Sequence, residues 1–284
     1  MNYLITGKNG QLAQEFLRRL GAAGAAVDAP DESQLDITDA AAVDRVVAAA
    51  RPGIILNCAA YNLVDRAEKE RDTAFRVNEL GPRTLAESAK KHGAFLVHFG
   101  SDYVFDGTKE DGLYVEGDPT GPLNEYGRSK LAGEGAVAGI LAERSLVLRL
   151  SWVFGTGRQN FIHKFLERVR SGDTLKVTCD EFSVPTWTGT VVDATLRALD
   201  RGATGLFHLT NSGYCSRYEW AKAILRSRGE DRFIRPVTLD AFPLPARRPK
   251  FSAMSNRKIS AALGTDILPW EDAVSQFLTK GPSV

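Results

Sequence analysis

Short apolar runs alternate with helical patterns along the first half of the chain. The first run, at residues 3–5, is followed by apolar residues at positions 13, 16, 17 and 20, which have the i, i+3, i+4, i+7 spacing of an amphipathic helix. The alternation continues and returns once more in the second half. The pattern predicts further strands at residues 25–28, 54–58, 94–99, 146–150 and 206–209, and further helices near 39–51, 85–92, 126–137 and 191–199.

The predicted strands are apolar along their whole length, which is typical of strands that are buried on both faces. Helices between such strands imply parallel βαβ units with right-handed connections. The predicted fold class is therefore α/β, a Rossmann-type doubly wound parallel sheet. We expect residues 1–152 to form this domain, with 189–211 returning to it, and residues 153–188 and 212–284 to form a smaller C-terminal substrate-binding lobe. Four prolines between positions 236 and 249 predict a rigid, irregular binding loop in that lobe.

Composition and charge disfavour several classes of protein. The chain has 36 Lys and Arg against 35 Asp and Glu, without the basic excess that attracts a polyanion, so we expect no nucleic-acid partner. No run approaches the roughly 18 apolar residues of a membrane span, and the first strand begins without a charged leader, so we expect no membrane association and a cytoplasmic location. Cys58, Cys179 and Cys215 are odd in number and widely spaced, which predicts free thiols and neither a disulfide framework nor a CxxC metal site.

A glycine-containing loop joins the first strand to the first helix. Residues 6–13 read Thr-Gly-Lys-Asn-Gly-Gln-Leu-Ala, a GxxGxxA pattern. A tight turn needs a residue without Cβ, and a phosphate can approach the backbone only where side chains are small, while the helix N-terminus supplies unpaired N–H groups. The position of this loop predicts dinucleotide binding. The candidate cofactor residues here are Gly7, Asn9, Gly10, Gln11 and Leu12.

Two residues make opposite predictions about the cofactor. Asp28 ends the second strand 18 residues after Gly10, where a carboxylate accepts hydrogen bonds from the adenosine ribose and repels a 2′-phosphate. Lys8 lies inside the loop, where a cation attracts that same phosphate. We therefore expect the protein to use both NADH and NADPH. Asp36 and Ile37 follow the second strand and are candidates to flank the adenine.

A tyrosine and a lysine are spaced for carbonyl reduction. Tyr126 and Lys130 are four residues apart, which places them one turn apart on one helix face. When hydride adds to a carbonyl carbon, the oxygen must receive a proton, and a phenol beside a cation is suited to give it. Ser101 follows the predicted strand at 94–99, at the carboxyl edge of a parallel sheet, where its hydroxyl can bind the same oxygen.

These motifs together resemble the extended short-chain dehydrogenase/reductase family, over nearly the whole chain. Within that family the resemblance is to the enzymes that reduce the C4 ketone of a nucleotide-activated 6-deoxysugar, with dTDP-4-dehydro-L-rhamnose as the expected substrate and NADPH or NADH as the cofactor. Beyond the glycine loop, the segments that carry the resemblance are Asn57-Cys58-Ala59-Ala60-Tyr61, residues 64–68, Val77-Asn78, residues 100–107, residues 122–127, residues 149–155, and Ala246-Arg247-Arg248-Pro249 with Ser252.

The resemblance implies roles for individual residues. Ser101, Tyr126 and Lys130 are implied as the catalytic group, with Tyr126 as the proton donor and Lys130 also as the anchor of the nicotinamide ribose. The cofactor cleft is implied to include Ala59, Ala60, Tyr61 and Asn78, and the sugar site Asp102, Tyr103 and Trp152. Arg247, with its neighbour Arg248, is expected to reach a diphosphate, because a guanidinium binds phosphate oxygens bidentately.

Departures from the family pattern leave alternatives open. Gly100 stands where the usual residue is Ser, and Ser101 where it is Thr. Tyr103 occupies the position at which the family's dehydratases carry a Glu, which argues against elimination of water. The alternatives are a reductase or epimerase acting on another nucleotide 4-ketosugar, and a noncatalytic protein like the regulatory subunit of methionine adenosyltransferase. We expect no metal ion, because no local carboxylate cluster is evident, and the candidate assembly is a homodimer.

Overall fold

A central sheet of six parallel strands organises the chain. Across the sheet the strands lie in the order 205–208, 145–150, 95–101, 54–57, 2–6 and 26–28. The computed structural model describes residues 2–157, 160–172 and 174–280. The strands are β1 (Asn2–Thr6), β2 (Ala26–Asp28), β3 (Ile54–Asn57), β4 (Phe95–Ser101), β5 (Ser145–Leu150), β6 (Val153–Phe154), β7 (Leu175–Thr178), β8 (Phe182–Ser183), β9 (Thr186–Trp187), β10 (Gly205–His208), β11 (Cys215–Ser216) and β12 (Ile234–Val237).

Helices cover both faces of this sheet. Apolar residues of the helices at 11–22 and 188–200 pack on one face, and those of the helices at 40–50, 81–92 and 125–141 pack on the other. The predicted doubly wound α/β class is therefore confirmed. The helices are α1 (Gln11–Ala22), α2 (Ala40–Ala50), α3 (Val64–Ala67), α4 (Arg71–Phe75), α5 (Gly81–His92), α6 (Glu125–Leu141), α7 (Phe161–Ser171), α8 (Thr188–Asp200), α9 (Arg217–Ser227), α10 (Arg257–Leu263) and α11 (Trp270–Lys280).

The predicted elements agree with these bounds to within a few residues, but two segments differ from expectation. Residues 64–80 hold α3, α4 and a π-helical turn at Arg76–Leu80, none of which the apolar pattern indicates. Pro236, expected in an irregular loop, lies in β12, which pairs in parallel with β7. A two-stranded sheet leaves every strand an edge, and a proline is tolerated there because its missing N–H faces away from the partner.

A second hydrophobic core lies in the C-terminal part of the chain. Its centre is an aromatic group in which Trp152 stacks on Trp220 with ring centroids 5.7 Å apart, and Trp220 contacts Phe154 and Phe161. Side chains from this region reach the carboxyl edge of the large sheet. That edge, between the two cores, is where the candidate site residues meet. No helix of the described residues is long and apolar enough to cross a membrane.

Candidate active site

The loop between β1 and α1 is shaped for close approach to an anion. Gly7 has φ +67°, and a Cβ there would lie 2.6 Å from the backbone nitrogen of Ala59 and 2.8 Å from the carbonyl carbon of Cys58. Gly10 precedes α1 and provides no side-chain cap, so the first N–H groups of the helix remain available to a ligand. The exposed Asn9 flanks this opening. These features fit a dinucleotide phosphate.

Gln11 differs from its neighbours in the loop, because its side chain forms hydrogen bonds within the protein. Its amide donates a hydrogen bond of 3.1 Å to the carbonyl oxygen of Val153 and accepts one of 3.2 Å from Asn160. These contacts join the start of α1 to the C-terminal part of the chain. The backbone N–H groups of Gln11 and Leu12, in the uncapped first turn, are the groups that can serve a cofactor.

The loop after β2 holds a second acid, Asp31, which the sequence pattern did not single out. Asp28 is exposed at the end of β2. The carboxylate of Asp31 binds Ser33, and this hydrogen bond, with a smaller contribution from the Lys8 cation, lowers the pKa of Asp31. Lys8 therefore lies close enough to Asp31 to interact with it. The only sequence signal for Asp31 is its position three residues after Asp28.

Asp36 and Ile37 have different environments. Asp36 is exposed and its carboxylate accepts a hydrogen bond from the backbone N–H of Thr38. Ile37 is buried, with 5% of its surface exposed, and packs against Gly81 in the core of the α2/α5 layer. Asp36 is thus the more accessible of the two candidates to flank an adenine.

Asn78 holds the loop that follows β3. Its amide donates to the carbonyl oxygen of Tyr61 and to the hydroxyl of Ser129, both at 3.0 Å, and its oxygen accepts from the N–H of Tyr61 at 2.8 Å. The side chain is 1% exposed, so these bonds use its polar groups fully. We therefore describe Asn78 as a positioning residue for the segment Ala59, Ala60 and Tyr61, in which the backbone of Ala59 lies against Gly7. The Tyr61 hydroxyl itself donates to Glu70.

Tyr126 lies at the mouth of the cleft, in the first turn of α6. Its hydroxyl is 3.5 Å from Asn62 Oδ1, and its ring packs edge-on against Tyr103 with centroids 5.8 Å apart. Burial raises the pKa of Tyr126 to about 12, and the facing hydroxyl of Ser101 opposes this shift. The phenol is therefore protonated at neutral pH, as a proton donor must be.

Lys130 is placed differently from expectation. It is 3% exposed, and its ammonium donates a 2.6 Å hydrogen bond to the carbonyl oxygen of Phe99 on β4. Burial lowers the pKa of Lys130 to about 8, and the field of Glu134 opposes that change. The sequence suggests a phenol paired with a cation, but Lys130 does not lower the pKa of Tyr126, because the lysine bonds the β4 backbone and burial dominates at the phenol.

Asp102 is turned into the protein rather than towards a sugar. Its Oδ2 accepts hydrogen bonds of 2.9 Å from Ser183 and 2.6 Å from Ser252, while its Oδ1 is 3.3 Å from the Ser101 hydroxyl. The residue is 3% exposed, and burial raises the pKa of Asp102 to about 6. The expectation that Asp102 contacts the sugar does not fit this arrangement. The carboxylate instead joins Ser101 to two serines of the C-terminal part.

Trp152 combines an unusual backbone with a free donor. It has φ +39°, which is uncommon for a residue with a side chain. The guanidinium carbon of Arg217 lies 3.6 Å from its ring centroid. The indole N–H is buried and has no hydrogen-bond partner among the described residues. A buried donor without a partner is costly, so this N–H is a candidate contact for a bound ligand.

The two adjacent arginines have separate roles. Arg248 forms a bidentate ion pair with Asp65, with contacts of 2.7 and 2.8 Å, and thereby joins the proline-rich segment to α3. Because Asp65 engages both terminal nitrogens of Arg248, this guanidinium is not available for a diphosphate. Arg247 is exposed and lines an open pocket of about 440 Å³ together with Asp106, Leu239 and Phe242.

A second open pocket, of about 340 Å³, lies on the other side of Phe242. It is lined by the aromatic residues Phe161 and Phe165, by the basic residues Lys164, Arg168, Lys176 and Arg217, and by Glu181, whose carboxylate lies 3.5 Å from the Arg217 guanidinium. The sequence analysis did not identify this basic group, because its members come from α7, β7 and α9. Aromatic walls with several cations suit a nucleoside diphosphate.

The chain matches known proteins along nearly its full length. Residues 1–282 match the family model described as RmlD substrate binding domain. The chain is 37% identical to dTDP-4-dehydrorhamnose reductase of Burkholderia thailandensis, over 96% of this chain and 97% of that protein. It is 38% identical to a probable dTDP-4,6-dihydroxy-2-methyloxan-3-one 4-ketoreductase of Streptomyces antibioticus, over 100% of this chain and 96% of that protein.

A solved structure agrees with the fold and with the expected ligand class. The crystal structure of dTDP-4-dehydrorhamnose reductase from Bacillus anthracis in complex with NADP superposes with a TM-score of 0.94, at 32% identity, over 98% of this chain and 99% of that chain. The fold and the nearly full-length matches thus agree with one another. The chain therefore belongs to the RmlD family, which includes the dTDP-4-dehydrorhamnose reductases.

Proposed function

We propose that this protein reduces the C4 ketone of dTDP-4-dehydro-L-rhamnose to give dTDP-L-rhamnose, with NADPH or NADH as the reductant. The observation that carries the proposal is the position of the Tyr126 phenol, which faces the Ser101 hydroxyl at the carboxyl edge of the sheet and lies one helical turn from Lys130. The glycine loop with its uncapped helix lies at the same edge. Together they provide a proton donor next to a dinucleotide site.

The mechanism assigns a task to each of the three residues. The reduced nicotinamide, when bound, supplies hydride to the carbonyl carbon. Tyr126 donates its phenolic proton to the carbonyl oxygen as negative charge develops there, and Ser101 donates a hydrogen bond to the same oxygen. Lys130 donates one ammonium hydrogen to the carbonyl oxygen of Phe99, so two hydrogens remain to be donated to the ribose hydroxyls of the cofactor.

The substrate is held by aromatic and basic groups on the C-terminal side of the cleft. Tyr103, which packs on Tyr126, is the candidate aromatic contact for a deoxysugar, while Trp152 supports this side of the cleft from the second core. Arg247 and the basic pocket with Arg217 are the candidates for the diphosphate. The exclusion of dehydratase chemistry follows from Tyr103, because a phenol buried beside Tyr126 supplies no carboxylate for elimination.

Cofactor preference is expected to depend on the opposing charges at the adenosine end. We expect Asp28→Asn to raise the ratio of NADPH to NADH efficiency by about three- to tenfold, because one charge near a 2′-phosphate is worth about 1 kcal/mol at the surface. Lys8→Gln should lower the same ratio by a similar factor. The kcat/KM values for both cofactors measure this, with Asp39→Asn, the exposed cap of α2, as the control. Unchanged ratios in both variants would contradict the assignment.

The proposal is tested by following oxidation of NADPH and NADH by the purified protein with dTDP-4-dehydro-L-rhamnose, and by identifying the sugar product. Rapid oxidation with formation of dTDP-L-rhamnose supports the proposal. A parallel assay uses other dTDP-linked 4-ketosugars, since a relative of equal similarity is named for another 4-keto substrate. Preference for one of those, or epimerisation of the sugar without net cofactor consumption, would replace the proposed substrate or reaction. Cofactor binding without turnover would favour the regulatory alternative.

Location and assembly are also part of the proposal. We infer that the protein acts in the cytoplasm, because the expected reduced nicotinamide and nucleotide sugar are cytoplasmic metabolites. The near-zero net charge supports the expectation of no nucleic-acid partner. The homodimer stays a prediction, and light scattering of the purified protein measures the mass directly.

A further inference from the structure

A buried ion pair lies behind the catalytic lysine, and the mechanism above does not use it. Glu134 on α6 binds Arg149 on β5, with both the Nε and a terminal nitrogen of the guanidinium 2.9 Å from Glu134 Oε2. The two side chains are 6% and 5% exposed. Burying two charges is costly, and removing either partner leaves the other uncompensated. Such a pair in the core beneath an active site calls for a reason beyond stability.

Glu134 lies on the same face of α6 as the catalytic residues. Tyr126, Lys130 and Glu134 follow one another at intervals of four residues, so each is one turn from the next. The field of Glu134 acts on both neighbours, since it favours the charged form of Lys130 and disfavours ionisation of Tyr126. A single carboxylate thus acts on the cation and the acid of the proposed reaction.

The second oxygen of Glu134 is directed at Gly100. A Cβ on Gly100 would overlap Glu134 Oε1, and it would lie 3.0 Å from Glu134 Cδ and 3.1 Å from Arg149 Cγ. Oε1 is buried and has no hydrogen-bond partner among the described residues. Burial raises the pKa of Glu134, and the Arg149 guanidinium, followed by Lys130 and the N–H of Ser101, opposes that rise and favours the carboxylate.

We propose that Glu134 is the counter-ion that keeps Lys130 in its ammonium form behind Tyr126, and that Gly100 provides the space which this carboxylate needs. Glu134 is a positioning residue, because it acts through Lys130 and touches no substrate. The inference rests on the proposed reductase function for its consequence in catalysis. The charge relation itself is a property of the folded protein and is measured without any substrate.

The groups around the pair support this assignment. From β4, His98 faces Lys130, and burial together with the lysine charge lowers the pKa of His98 well below its ordinary value, so the imidazole is neutral. From β5, Arg149 supplies the second cation, and from the turn at Asp102–Val104, Asp102 acts on Tyr126. Within the described part of the chain, Glu134 is the one charged group that shifts the pKa of Lys130. Without it, two buried cations would lack an anion.

The direct test is the titration of Lys130 in protein labelled with 13C at the lysine Cε, followed by NMR across the alkaline range. The Lys130 signal is assigned by its loss in Lys130→Arg. In the unaltered chain we expect a midpoint of about 8. Glu134→Gln should lower that midpoint by about one unit or more, because an opposite charge a few ångströms away favours the ammonium form by that amount. Glu134→Asp, which retains the charge, should recover part of the shift.

Two further variants complete the experiment. Glu87→Gln removes an exposed carboxylate from α5, the helix beside α6, and should leave the Lys130 midpoint unchanged. Gly100→Ala should displace the Glu134 carboxylate and lower the midpoint, and it decides the matter if Glu134→Gln does not fold. The proposal is overturned if Glu134→Gln folds and its Lys130 titration midpoint does not move. If Glu134→Gln cannot be prepared, an unmoved Lys130 midpoint in Gly100→Ala overturns it.

The catalytic consequence is a separate readout. The fall of kcat/KM at alkaline pH should move to lower pH in Glu134→Gln by the same interval as the NMR midpoint. If the unaltered protein reduces none of the tested ketosugars, the proposed function fails while the NMR result still decides the role of Glu134. The two conclusions are therefore tested independently.

Discussion

Tyr126→Phe is expected to lower kcat for ketosugar reduction by about 10²- to 10⁴-fold, the range that general acid catalysis contributes. The substitution removes one hydroxyl and leaves the ring that packs on Tyr103. Because the oxygen of the reduced ketone then has no phenolic proton to accept, the chemical step slows. The hydroxyl makes only a long contact of 3.5 Å with Asn62 within the protein, so folding should be nearly unaffected.

Cofactor binding separates this effect from damage to the site. NADPH should bind Tyr126→Phe within about twofold of the unaltered protein, measured by quenching of protein fluorescence, since kcat rather than ground-state binding is affected. Tyr218→Phe, which removes a phenolic hydroxyl from α9 in the C-terminal part, should keep full activity. Retention of full turnover by Tyr126→Phe would refute the role of its hydroxyl. Loss of cofactor binding would indicate a structural defect instead.

Gly7→Ala is expected to lower the free energy of unfolding by about 2–5 kcal/mol. About 1–2 kcal/mol comes from placing an L-residue at φ +67°, and about 1–3 kcal/mol from forcing a methyl group against the backbone of Cys58 and Ala59. Because the loop must shift to relieve this contact, the first turn of α1 moves relative to β3. We expect the affinity for NADPH to fall at least tenfold as well. Urea unfolding with and without NADPH measures both quantities.

Gly24 provides a matched control for this experiment. It also has φ +67°, but nothing lies within 4 Å of the position that a Cβ would occupy. Gly24→Ala should therefore cost only the conformational part, about 1–2 kcal/mol, and leave NADPH binding unchanged. Equal losses of stability in the two variants would show that the contact with Ala59 contributes nothing.

The fold could be predicted largely from local pattern. The strands at residues 54–57 and 95–101 are mostly apolar, and helices such as α1 and α8 carry apolar residues at helical spacing. Neighbouring positions in the sequence therefore indicate which side of each element is buried. The segment at 64–80 was not predicted, because its short helices have no complete apolar repeat. Pro236 was misassigned, since only the tertiary fold shows that its strand has a free edge.

The candidate site was predictable where its chemistry depends on short spacing. The glycine loop needs Gly7 for its backbone conformation, and Tyr126 and Lys130 share a helix face because they are four residues apart. Basic residues of the second pocket were missed, because they are spread from residue 164 to residue 217. Asp31 was missed because the nearby Asp28 has the spacing typical of the ribose contact.

The sequence by itself thus determined the fold class, and it indicated the dinucleotide loop and the candidate residues of the proposed proton transfer, because each of these signals lies within a short segment. The tertiary structure decided the hydrogen-bond partners and the pKa values of those residues. Lys130 bonds Phe99, 31 residues away, and Asp102 is turned inward by Ser183 and Ser252, which are 81 and 150 residues away. A pKa depends on desolvation and on charges a few ångströms distant, and those distances exist only once the chain has folded.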